Sequence, residues 1–134
     1  ETQGDGSMLA FPSVRRAVAC TQAIQREIGR AFSDFSPPIA VRIGVHTGDA
    51  LHEGDHFFGA TVHYAARVAG QALGGEVLVS SVVHDLAAAP DIDFHASREV
   101  ELKGLDGLHR IYALNLARPD RPSPAAAEYP GPQA

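Results

Sequence analysis

A single cysteine, Cys20, cannot build an intrachain disulfide framework, so the fold has to rest on its apolar core, and the chain suits a reducing compartment such as the cytoplasm. Cys20 falls inside a helical pattern, where a small buried apolar role is expected. No apolar run approaches the roughly 20 residues of a membrane span, and no signal peptide opens the chain. Positive charge is also scarce. Eleven Lys and Arg stand against 16 Asp and Glu, a net charge of −5, and Arg15-Arg16 is the only adjacent basic pair before the C-terminal segment. No face is expected to neutralise the phosphates of a nucleic-acid duplex. An initiator methionine is missing too: Glu1 leads directly into Gly4-Asp5-Gly6, and further sequence upstream is expected.

What remains is enough for one globular domain, with 45% apolar residues in 134. Gly4-Asp5-Gly6 is a turn signal followed by the apolar run Met8–Phe11, which predicts a hairpin with Glu1-Thr2-Gln3 as its first arm. Ser13 offers an N-cap, and Val14, Ala17, Val18, Thr21, Ile24 and Ile28 recur at helical spacing. Ile39, Val41, Ile43 and Val45 alternate as a strand that Thr47-Gly48-Asp49 ends, and a short strand is expected around Ala50-Leu51. His52 to His56 reads as a polar loop. Gly59 to Leu73 predicts a helix with Val62, Ala65, Ala66, Ala69 and Leu73 inward, stopped by Gly74-Gly75. Val77–Val79 is a short buried strand, and Ser80 or Ser81 caps a helix through Leu86. Strands are then expected at Ile92–His95, Val100–Lys103 and Arg110–Leu114, the last two separated by Gly104–Gly107. Beyond Ala117 the Pro- and Ala-rich composition cannot bury a core, which divides the chain into a domain at 1–117 and a linker or disordered tail at 118–134. This order is that of an α+β sandwich, helices packed on one sheet.

Two local patterns bear on chemistry. His52-Glu53-Gly54-Asp55-His56 has the letters of a zinc-protease motif, but that chemistry needs both histidines on one helical face. Gly54 and the strand-like surround make this a loop instead. Asp5, between two glycines, would present carboxylate oxygens at a hairpin tip, as Mg²⁺ requires. Read alone, it is first a turn residue.

Four further segments change its weight: Arg42-Ile43-Gly44-Val45-His46-Thr47-Gly48, then Phe58-Gly59-Ala60-Thr61-Val62 with Ala65-Ala66-Arg67, then Gly75–Ser80, then Glu101–Gly107. In order and spacing, from about Thr2 to Leu114, the chain resembles the class III adenylate/guanylate cyclase catalytic domain of the bacterial type. That resemblance implies a ferredoxin-like cyclase-homology sandwich with a mainly antiparallel sheet, its first strand and helices preceding this chain. It implies conversion of ATP or GTP to a 3′,5′-cyclic nucleotide and pyrophosphate in signal transduction. Asp5 matches one of two metal aspartates for Mg²⁺ or Mn²⁺, the other being expected upstream, so these residues alone are expected to be inactive. Lys103 matches the lysine that holds the terminal phosphates, and Arg67 the arginine at the α-phosphate. Taken alone, they read as a solvated strand lysine and a helix-surface arginine with a local ion pair. His63 stands where the family has an asparagine that orients the ribose. Glu1 and His56 occupy the two base-reading positions, and the pair fits neither the adenine nor the guanine pattern. Family sites form across a dimer, which implies a homodimer or a paired cyclase domain. The alternative is a catalytically silent cyclase-homology domain that binds nucleotide or dimerises, a reading that His63 and His56 favour.

Overall fold

The computed structural model describes residues 2, 3, 6–37 and 39–116. Glu1, Asp5 and the 118–134 segment therefore lie outside the described residues.

The elements follow the chain as β1 (Thr2–Gln3), β2 (Gly6–Ser7), α1 (Val14–Ala31), β3 (Ile43–Val45), β4 (Leu51–Glu53), β5 (His56–Phe58), α2 (Ala60–Gly70), β6 (Val77–Ser80), α3 (Ser81–Ala87), β7 (Phe94–Leu102) and β8 (Leu105–Leu114). The main sheet runs β3-β6-β8-β7, with β3 and β6 parallel and the other pairs antiparallel. β1 with β2 and β4 with β5 form separate antiparallel hairpins. This is the expected α+β class.

Alternation along the sheet creates two cores. Val77 and Val79 on β6 and Leu114 on β8 join Val18 of α1 and Val83 of α3 on one face. Leu78, Ile111 and Ala113 meet Val68 of α2 and Ala72 on the other. All four β6 residues are buried because helices cover both of its faces.

Helix α1 starts where Ser13 Oγ accepts the Arg16 N–H at 3.3 Å, a cap worth about 1 kcal/mol. Gln25, which the pattern did not mark as inward, is buried. Its Nε2 donates to Val41 O at 2.9 Å and Glu76 O at 3.3 Å, tying α1 to the entries of β3 and β6. Cys20 is half-buried and free.

Several expectations need correction. Met8–Phe11 is not a strand: the hairpin closes earlier, at Gly6–Ser7, and among the described residues no strand lies beside 8–11 to complete a ladder. The Ile39–Val45 strand is cut to Ile43–Val45. Its partner begins at Val77, while Val41 O is already taken by Gln25 and by the Gly75 N–H at 2.8 Å. His52–His56 is a β-hairpin turning at Gly54 (φ 59°), which also removes the helical face that a zinc-protease reading requires. Helix α2 ends at Gly70, so Leu73 points out, 73% exposed, and Ala66 is exposed too; Tyr64 and Val68 face inward in their place. The 92–95 and 100–103 stretches belong largely to one strand, Phe94–Leu102. It is an edge strand, so the polar residues Ser97 and Glu99 sit in it without cost to the core. The turn into β8 is only Lys103-Gly104, closed by the Leu102–Leu105 pair. Glu101 pairs with Leu108, so Asp106 and Gly107 form a bulge in β8.

Candidate functional site

Helix α2 carries two of the six candidate residues, and its mounting is unusually close. A Cβ on Gly44 of β3 would come within 2.7 Å of both Ala65 O and Ala69 Cα, backbone atoms of α2. Only glycine permits this approach, and Ala65 and Ala69 complete it with small side chains. Both ends of the helix are also tied. Thr61 Oγ1 donates to Asp49 O at 2.5 Å, and Arg98 of β7 donates through Nη2 to Gln71 O at 3.0 Å. Arg98 also pairs with Glu76 Oε1 at 3.7 Å, and that oxygen accepts the Leu73 N–H at 2.9 Å.

His63 and Arg67, four residues apart, share one side of this helix. His63 is exposed, and its Nε2 lies 3.7 Å from where a Cβ on Gly104 would sit. The structure thus brings His63 to the Lys103-Gly104 turn, where Lys103 is exposed. Gly104 has φ 80°, which lets the turn close in two residues. Arg67 is half-buried, and its Nε is buried without a hydrogen-bond partner among the described residues. A buried guanidinium N–H lacking an acceptor costs about 1–3 kcal/mol. His56 sits on β5, four residues before α2, with its ring 5.6 Å from that of Phe58. Asp5 and Glu1 lie outside the described residues. Among the residues that are described, no three His, Cys, Asp or Glu side chains come together to hold a metal ion.

Four residues in and around α2, namely His46, Tyr64, Ser80 and His109, were not among the site candidates read from the sequence. The His46 ring stacks on Tyr64, centroids 4.1 Å apart at 26°. His46 Nδ1 is 2.8 Å from Ser80 Oγ, which also accepts the Val83 N–H at the start of α3. Burial holds the His46 pKa below its usual value, which favours the neutral ring. Tyr64 OH lies 3.0 Å from His109 Nδ1, and His109 Nε2 lies 2.9 Å from Asp106 O. A nitrogen facing a carbonyl must carry the hydrogen, so in the neutral ring Nδ1 accepts from the tyrosine. Burial raises the Tyr64 pKa, which keeps that hydroxyl protonated. The helical phase read from the sequence did not mark Tyr64 as inward. Nothing there linked it to His109, 45 residues away.

Comparison with known proteins places this geometry. Residues 1–116 match the model of the adenylate and guanylate cyclase catalytic domain. A Rhizobium meliloti (strain 1021) protein named Putative adenylate cyclase 3 is 33% identical over 133 residues, covering 97% of this chain and 23% of that protein. The chain thus spans about a quarter of that relative. Among solved structures, an adenylate/guanylate cyclase/hydrolase from Silicibacter pomeroyi superposes with TM-score 0.70 at 26% identity, covering 85% of this chain and 69% of that one. The guanylate cyclase domain of RhGC from Catenaria anguillulae, solved with GTP, shares the fold, with TM-score 0.58 at 23% identity over 86% of this chain and 70% of that one. Among the described residues no helix is long and apolar enough to cross a membrane. The 1–116 match covers most of the chain and includes α2, the Lys103 turn and the Gly44 contact between α2 and the sheet, and the chain belongs to the adenylate and guanylate cyclase catalytic domain family.

Proposed function

We propose that this domain supplies the nucleotide-holding half of a class III cyclase site, which converts ATP or GTP to its 3′,5′-cyclic monophosphate in cytoplasmic signal transduction. The observation that carries this reading is the approach of His63 on α2 to the Lys103-Gly104 turn, with Arg67 one helical turn further along the same side of α2. In this reading the Lys103 ammonium binds the terminal phosphates as a point charge. Arg67 donates to the α-phosphate oxygens as the ribose 3′-oxygen bonds to phosphorus and pyrophosphate departs. Stabilising charge that develops there is the main protein contribution to such a transfer. His63 donates one hydrogen bond to the ribose, with a different reach from the family's asparagine. By resemblance His56 and Glu1 hold the base-reading positions, and the pair commits the site to neither purine.

Asp5 is our assignment for one ligand of a Mg²⁺ or Mn²⁺ pair. By the same resemblance the other metal aspartate is not among residues 1–134, so these residues alone are expected to make no cyclic nucleotide. A homodimer or a paired cyclase domain would join Asp5 of one copy to Arg67 and Lys103 of the other. The second reading, a silent domain that binds nucleotide or dimerises, is favoured by one observation: the His63 ring lies against the turn, where the family has a smaller amide.

The test is cyclic nucleotide formation from ATP and from GTP by the full-length protein, beside its Asp5→Ala and Arg67→Ala variants. Formation that both variants abolish supports the enzyme. Nucleotide binding without product supports the silent domain.

A further inference from the structure

Resting on the reading above, we infer that Tyr64 and His109 form a positioning pair that fixes the Lys103 turn against helix α2. Neither residue is placed against the nucleotide. Tyr64 is the immediate neighbour of His63 on α2, and its side chain turns inward, packed on the core that includes Leu102, with Leu105 beside it. Those two leucines form the pair that closes the Lys103-Gly104 turn. The Tyr64 hydroxyl donates to His109 Nδ1 at 3.0 Å, and His109 Nε2 donates to Asp106 O at 2.9 Å. Asp106 belongs to the bulge immediately after the turn, where the register slips and the ladder leaves backbone groups unpaired. One imidazole therefore does two things: it holds the bulge in shape, and it attaches the bulge to α2.

Tyr64 is itself held from the other side. His46 stacks on its ring and is fixed by Ser80, at the junction of β6 and α3. The tyrosine is thus referenced to the centre of the sheet, and through His109 it passes that reference to the hairpin tip. His63 and Lys103 come from segments 40 positions apart, and a two-residue turn at the end of an edge strand has few other constraints. The hydroxyl–imidazole bond is what sets their separation.

A test uses Tyr64→Phe, which keeps the stacked ring and removes the hydroxyl, and His109→Leu, which removes the acceptor. His109→Asn is the conservative variant, since its amide oxygen can replace Nδ1. Lys103 is assigned to ground-state phosphate binding, so its misplacement acts on KM. A lost neutral hydrogen bond corresponds to about a 3- to 10-fold change. Tyr64→Phe and His109→Leu are expected to raise KM for the triphosphate by about that factor, with kcat within about twofold, and His109→Asn, which keeps the acceptor for Tyr64 but lacks the donor to Asp106 O, to restore KM in part. Lys103 and Gly104 amide resonances are expected to shift in the first two variants and to return part of the way in the third. An unchanged KM, or a fall in kcat at constant KM, overturns the pair. If the wild-type protein neither binds nor turns over nucleotide, the functional reading fails by itself. The amide resonances then decide the clamp: shifts in Tyr64→Phe and His109→Leu support it, and their absence overturns it.

Discussion

Gly44→Ala is the sharpest perturbation of the way α2 is mounted. The new methyl would meet Ala65 O and Ala69 Cα at 2.7 Å, whereas ordinary contacts lie at 3.4–4 Å. Helix α2 would have to retreat by about 1 Å, since both partners are backbone atoms and cannot rotate away. Overpacking of a fitted core costs about 1–3 kcal/mol, and a backbone clash on this scale falls at the upper end. For a domain of this size, about 3 kcal/mol lowers the unfolding midpoint by roughly 10 °C. Gly29→Ala is the internal control. Gly29 lies in the interior of α1 with nothing within 4 Å of the added Cβ, so alanine should stabilise by about 0.5–1 kcal/mol. Thermal and urea unfolding followed by circular dichroism measures both. A Gly44→Ala midpoint within the error of wild type would refute the close-approach argument, as would a Gly29→Ala variant less stable than Gly44→Ala. Because α2 carries His63 and Arg67, the same 1 Å retreat should lower turnover by about 10²-fold.

Other predictions follow from single groups. His46 binds its proton less readily in the folded state, because burial lowers its pKa, than in the unfolded chain, where it titrates near about 6.5. The stabilisation is therefore complete above about pH 6.5 and is lost as pH falls below it; His46→Asn should flatten that acid slope in urea midpoints, and an unchanged slope would contradict it. Arg67→Ala should lower kcat by about 10²- to 10³-fold, while Lys103→Ala mainly raises KM; steady-state kinetics in which both variants change KM alone would remove Arg67 from the transition state. Ser80→Ala removes both the α3 cap and the His46 partner, and should cost about 1–2 kcal/mol in chemical unfolding.

What was legible in the sequence depended on the range of the interactions. The cap at Ser13, the start of α3 at Ser80 and the continuous apolar strand Val77–Val79 were visible because each is set by neighbours a few residues away. The lengths of β3 and β7 were not visible, because a strand extends only as far as its partner, and those partners lie 34 residues on for Ile43 and across a bulged hairpin for Glu101. The phase of α2 was misjudged by counting alanines as inward. Ala66 is exposed, and the larger Tyr64 takes the core-facing position because His46 and His109 give its ring and hydroxyl partners. His63, Arg67 and Lys103 became candidates through motif order, and the structure adds the approach of His63 to the turn, which no local pattern contains. Asp5 and Glu1 fall outside the described residues, so their roles rest on sequence resemblance.

The most direct test of the central claim is a titration of the ¹⁵N-labelled protein with a non-cyclisable ATP or GTP analogue, followed by amide and histidine resonances. The account predicts saturable shifts concentrated at His63, Arg67, Lys103 and Gly104, with the α1 and α3 face of the sheet unmoved. Shifts confined to that opposite face, or none up to millimolar analogue, would contradict it.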